Sequence, residues 1–135
     1  MKNSTLLLFL MLAVTSSCYR TEAPGKEMRF KNKTFVHLYF ETEQECLDAQ
    51  PDPDFFVNCH QQVDFLDDNV VELMLTDIIW VGEYHVVRNM LILEFEPNYE
   101  IPTGLMAFEI IKNNKLRNME DNSYWKKMTG NSIWD

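Results

Sequence analysis

The segment Ile79–Phe95, IWVGEYHVVRNMLILEF, constrains the fold more than any other stretch. A two-residue turn at Arg88-Asn89 sets Val86 opposite Leu91, Tyr84 opposite Leu93 and Gly82 opposite Phe95. Strand side chains alternate between faces, so these pairs share one face and make it apolar. The other face sets His85 opposite Ile92 and Glu83 opposite Glu94. One apolar and one mixed face is the pattern of a half-buried antiparallel sheet. Gly82 opposite Phe95 lets the ring lie across bare backbone, as happens where a sheet curls.

Neighbouring segments extend this hairpin into a meander. Thr34–Phe40 alternates and reads as the first strand. Thr42-Glu43-Gln44-Glu45 is a capping box and predicts one short helix near residues 42–50, ended by Pro51-Asp52-Pro53-Asp54. Phe55–Asn58 and Gln62–Leu66 read as short extended pieces. Val70–Thr76 places Val71, Leu73 and Leu75 on one face. Gly104–Ile111, Leu116–Met119 and Ser123–Lys127 complete the set, joined by Asn-rich turns. The fold class is mainly β: about eight antiparallel strands expected to close into a small barrel, because closure removes exposed edges.

The N-terminus carries an export signal. Lys2 is followed by the apolar run Leu6–Val14, too short to span a membrane as a helix. Thr15-Ser16-Ser17 then leads directly into Cys18. This resembles the lipobox of bacterial lipoproteins. The resemblance implies a signal peptide over residues 1–17, lipidation of Cys18 and attachment to the membrane through that lipid. An ordinary secretory cleavage after Ser17 is the other reading of the same residues. Tyr19 after the cysteine implies no inner-membrane retention, hence the cell envelope and the outer membrane of a Gram-negative bacterium. Residues 18–33 form a polar tether, 34–128 a single barrel domain and 129–135 a tail.

The chain has three cysteines. Lipidation of Cys18 leaves Cys46 and Cys59 to pair, as expected in an oxidising envelope. The bridge closes a loop of about 14 residues, worth about 3 kcal/mol in the chain-entropy account. Two reduced, buried cysteines are the alternative. The formal net charge is −9, which argues against nucleic acid as a partner.

Trp80, the run Gly82-Glu83-Tyr84-His85-Val86 leading into Leu91-Ile92-Leu93-Glu94-Phe95, and the closing Leu116 with Tyr124-Trp125-Lys126-Lys127 resemble small lipocalin-like (calycin-type) envelope lipoproteins. The resemblance implies a lipocalin-like barrel. An N-terminal Gly-x-Trp, the signature of true lipocalins, is absent from the sequence.

Candidate chemistry is sparse. Adjacent Cys59-His60 point to opposite faces of an extended segment and make a poor nucleophile–base pair. His37, His60 and His85 with Cys46 show no zinc spacing, so no metal is expected. Asp52, Asp54, Asp64, Asp67 and Asp68 lack the calcium-loop pattern and read as a solvated rim. Glu83, Glu94 and Glu109 stand singly in strands. No cofactor is expected, and the chain reads as a non-enzyme. The leading expectation is a lipid-anchored binding protein holding a small apolar ligand. Its lining would come from Leu73, Leu75, Tyr84, Val86, Leu93, Phe95 and Phe108. The alternative is a protein-interaction module, an inhibitor of a cationic envelope or foreign protein in a lysozyme-inhibitor-like role.

Overall fold

Period-two alternation carries the chain into eight antiparallel strands: β1 (Lys33–Leu38), β2 (His60–Phe65), β3 (Val70–Met74), β4 (Ile79–Val87), β5 (Met90–Glu94), β6 (Leu105–Lys112), β7 (Lys115–Asn118) and β8 (Tyr124–Lys127). The computed structural model describes residues 29–51 and 55–135. The export segment, Cys18, the tether up to residue 28, Asp52 and Asp54 lie outside the described residues. Each strand pairs with its sequence neighbour, and β1 pairs with β8, so the sheet closes into a barrel. The closed barrel and its core lie wholly within residues 29–135.

The central hairpin has the expected register. Glu83 pairs with Glu94, Tyr84 with Leu93, His85 with Ile92 and Val86 with Leu91. Its two-residue turn places Arg88 in the left-handed region, φ 59°, which primed hairpin turns require. The Phe95 ring lies over Gly82, where an added Cβ would stand 2.5 Å from Phe95 Cδ1 and press on the Glu94 carbonyl oxygen.

The helix α1 (Glu43–Asp48) starts where the capping box predicts. The Glu45 amide donates to Thr42 Oγ1 (3.2 Å), and the Thr42 amide donates to the Glu45 carboxylate (3.1 Å). Two extended stretches differ from expectation. The first strand ends at Leu38, because the chain leaves the wall at Tyr39 to reach α1, held by a Tyr39 amide bond to the Cys59 carbonyl (2.9 Å). Phe55–Asn58 joins no ladder beyond a single bridge residue at Phe55. The Gln50 side chain ties it down instead: its amide donates to the Val57 carbonyl (3.1 Å), and the Val57 amide donates to Gln50 Oε1 (2.8 Å).

Inward residues of all eight strands form one buried cluster, with Trp125, Phe35, Phe65 and Phe108 fully enclosed. Phe30, from the segment before β1, enters that cluster at one end and packs 5.2 Å from Phe65 between ring centroids. Ile101, from the β5–β6 loop, enters it at the other. That loop is folded by Asn98, whose side-chain oxygen accepts from the amides of Glu100 (2.9 Å) and Ile101 (2.8 Å).

Because a Cβ at position 82 meets backbone as well as a ring, Gly82→Ala is expected to destabilise the barrel by about 2 kcal/mol, in the range for overpacking. Urea denaturation of both proteins measures this; an unchanged midpoint would show that the β4–β5 seam gives way freely.

Candidate functional site

An antiparallel barrel sends alternate connections to opposite ends, and here charge is distributed unequally between the two ends. The connections β1–β2, β3–β4, β5–β6 and β7–β8 share one end. They carry Glu41, Glu43, Glu45, Asp48, Asp77, Glu96, Glu100, Glu120 and Asp121, and among the described residues no lysine or arginine stands there. We call this the acidic end. The segment before β1, the other three turns and the end of β8 form the opposite, basic end, where Arg29, Lys31, Lys33, Arg88, Lys112, Lys115, Lys126 and Lys127 outnumber the Asp67 and Asp68 carboxylates of the β2–β3 turn.

The tyrosines of the acidic end register its field. Desolvation first, then the Asp121 carboxylate, raise the Tyr39 hydroxyl above its usual range, against an opposing hydrogen bond with Gln61. Tyr99 is raised in the same direction, by desolvation and then by Glu100 and Asp77.

An apolar groove of about 510 Å³ opens beside this end, on the outside of the barrel wall. Its walls are Cys46 and Leu47 of α1, Phe56, Met74 on the outer face of β3, and Ile133 and Trp134 of the C-terminal tail. Glu43 and Asp77 bring carboxylates to it. Cys46 and Cys59 form a disulfide (Cα–Cα 5.6 Å), which staples α1 to the segment holding Phe56. Cys46 is the one buried residue of α1. Leu47 is 59% exposed and Phe56 79% exposed, so apolar surface faces water around the groove. The tail leaves β8 at the basic end, where the Met128 amide bonds to the Thr34 carbonyl (2.9 Å). It then reaches the groove, carrying Trp134 across the outer wall.

The seven residues expected to line a ligand cavity all face inward. Leu73, Tyr84, Val86, Leu93, Phe95 and Phe108 are buried in the interior cluster, and Leu75 packs against it partly buried. They meet other core side chains there: Tyr84 lies 4.9 Å from Phe65 and Phe108 lies 5.2 Å from Trp125, between ring centroids. An eight-stranded barrel is just wide enough for side chains to fill or for one small ligand. None of the seven lines the groove.

The remaining candidates are kept apart by the topology. His37 stacks on Trp125, with its Nδ1 2.9 Å from the Tyr124 carbonyl. His60 bonds to Gln62 (3.3 Å), and His85 stands 3.6 Å from Glu94. Among the described residues no three of His, Cys, Asp or Glu gather as a metal group would. Cys59 is bridged, so it holds no thiolate for His60 to activate. Asp67 pairs with Lys31 (3.1 Å), Asp64 accepts from Thr34, and Glu109 pairs with Arg117.

Sequence reasoning missed Gln50, Leu47, Phe56 and Trp134 as members of one site. A faint signal existed: Phe55-Phe56 are adjacent, and adjacent residues of an extended chain cannot both face one core.

The closed antiparallel barrel is compatible with a lipocalin-like barrel and with ligand binding. Comparison with known proteins found no match: no family model, no curated protein and no solved structure matches this chain.

Replacing both bridge cysteines, Cys46→Ser with Cys59→Ser, is expected to cost about 2–4 kcal/mol. It should also expose the 55–59 segment to limited proteolysis, with thermal melting and cleavage mapping as the measurements. A second expectation follows from the raised Tyr39 hydroxyl. An acid whose folded pKa is raised keeps its proton longer in the folded chain, so its stabilisation is present below the ordinary tyrosine range. It is lost as pH rises through the folded pKa. Asp121→Asn should shift the Tyr39 titration downward and lessen that alkaline loss, read by ultraviolet difference titration.

Proposed function

We propose that this protein is a lipid-anchored, extracytoplasmic binding module that captures a basic protein or peptide at its acidic end. The observation that carries the reading is an exposed apolar groove set among carboxylates, at an end where no described lysine or arginine stands. Carboxylates attract and orient a cationic partner, and an apolar pocket then supplies the desolvated contact that holds it. Leu47 and Phe56 are the anchors on this side, with Trp134 as the wall. The ring contacts across the interior, such as Tyr84 on Phe65 and Phe108 on Trp125, support a surface role over an internal ligand. A groove of about 510 Å³ lies in the size range of small-molecule pockets. The acidic surround favours a cationic partner over a neutral apolar one.

The lipobox-like segment and Cys18 supply the anchor in this reading, and an oxidising compartment suits the disulfide. The lipocalin-like barrel is then a rigid mount in the cell envelope that presents one end to the surroundings. A role resembling that of lysozyme inhibitors fits: the partner would be basic, foreign or resident in the envelope, and bound rather than transformed.

The test is binding of residues 19–135 to a basic lysozyme and to an arginine-rich amphipathic peptide, by calorimetry across a salt series. Binding should be tight at low salt and weaken as salt rises. Phe56→Ala should reduce affinity about tenfold to thirtyfold, as for a buried aromatic anchor. Absence of binding to any basic protein at low salt would overturn the reading. A discrete non-covalent adduct in the native mass spectrum would return the function to a small ligand.

A further inference from the structure

We propose that the basic end of the barrel is a docking surface for anionic membrane lipid, with a headgroup phosphate seated in the hollow between Arg29, Arg88 and Lys112. This surface is opposite the groove and does not depend on what the groove binds.

The hollow is a depression of about 420 Å³ lined by Arg29, Arg88, Asn89, Ile110, Ile111, Lys112 and Asn113. Three separate elements bring their cations to it: the segment before β1, the β4–β5 turn and the β6–β7 turn. The ladder holds these together, with the Ile110 amide donating to the Asn89 carbonyl (2.8 Å) and Arg29 donating to the Asn113 side-chain oxygen. Among the described residues neither Arg88 nor Lys112 has an ion-pair partner; the cations paired with acids are Lys31 and Arg117. Nearby like charges add to the crowding. Desolvation, then Lys127 and then Arg29, push the Lys33 amine below its usual range. A bound anion would relieve that repulsion.

Two further observations favour a membrane over another polyanion. Exposed aliphatic side chains stand beside three turns of this end: Leu66 at 37%, Val87 at 43% and Ile111 at 40% exposure. Basic side chains flanked by exposed aliphatic ones suit the headgroup boundary of a bilayer. The chain also enters the barrel here, at Arg29, about eleven residues after Cys18. With Cys18 lipidated as proposed above, that span reaches at most about 40 Å, and this end is the one to which the anchor attaches. A chain with net charge −9 can approach an anionic surface of any kind only where its cations gather, as they do at this end around the Asp67 and Asp68 carboxylates of the β2–β3 turn. Docking by the basic end would turn the acidic end and its groove away from the membrane.

The experiment is co-sedimentation of unlipidated residues 19–135 with phosphatidylglycerol-containing vesicles and with pure phosphatidylcholine vesicles. The wild type is expected on the anionic vesicles, released by salt, and absent from the neutral ones. The double variant Arg88→Asn with Lys112→Asn should lose about fivefold in affinity per cation removed, about twenty-five-fold in all. Asn suits the left-handed backbone at position 88, so the single variant Arg88→Asn should keep or raise the melting temperature while still losing its fivefold. Equal binding to both vesicle types, or undiminished binding by the double variant, would overturn the proposal. Displacement from the vesicles by stoichiometric duplex DNA would equally overturn lipid as the occupant, whereas displacement only by inorganic phosphate in large excess fits a headgroup phosphate site.

Discussion

Everything in this molecule depends on the seam between β1 and β8. It is short, with Phe35 facing Lys127 and Val36 facing Lys126. Without it the sheet would present two open edges, and Phe35 and Trp125 would lose the wall that encloses them. With it, the inward side chains meet as one cluster and no strand edge is left unpaired. Phe30 and Ile101 stop the two ends. The groove, by contrast, is built from what lies outside the wall.

Closure has a second consequence, for charge. In an up-and-down barrel the connections alternate strictly between ends, so turn composition becomes end composition. The turns of one set are rich in Asp and Glu, while the other end gathers Lys and Arg from strand ends, the Arg88 turn and the segment before β1, against Asp67 and Asp68. A modest excess of acids in the chain thereby becomes a strongly polarised molecule. The ends present different surfaces, an apolar groove beside one and a cationic hollow at the other. On the wall between them Glu83 faces Glu94, and Arg117 is paired with Glu109.

The groove is assembled from pieces with little claim to structure of their own. The helix α1 has six residues, too short to be stable alone. It persists because Thr42 and Glu45 satisfy its first amides, the disulfide ties Cys46 to Cys59, and Gln50 holds the following segment to its end. The tail contributes Trp134 from the far end of the sequence. Such a site is rigid where it is bridged and exposed where it would bind.

The sequence by itself determined the elements whose causes are local. Alternation in Ile79–Phe95 set the hairpin register, because a one-residue slip would have turned Tyr84 and Leu93 to water. Thr42 and Glu45, three residues apart, marked the helix start, and the bare backbone of Gly82 marked where Phe95 would lie. Only the tertiary structure decided the rest. Whether inward residues line a cavity or fill a core depends on barrel width and on rings arriving from distant strands, such as Trp125 against Phe108. Which turns share an end depends on closure, so the separation of charge stays hidden along the chain. Leu47, Phe56, Met74 and Trp134 have no common period or motif. They share a site because the fold brings four remote segments to one stretch of wall.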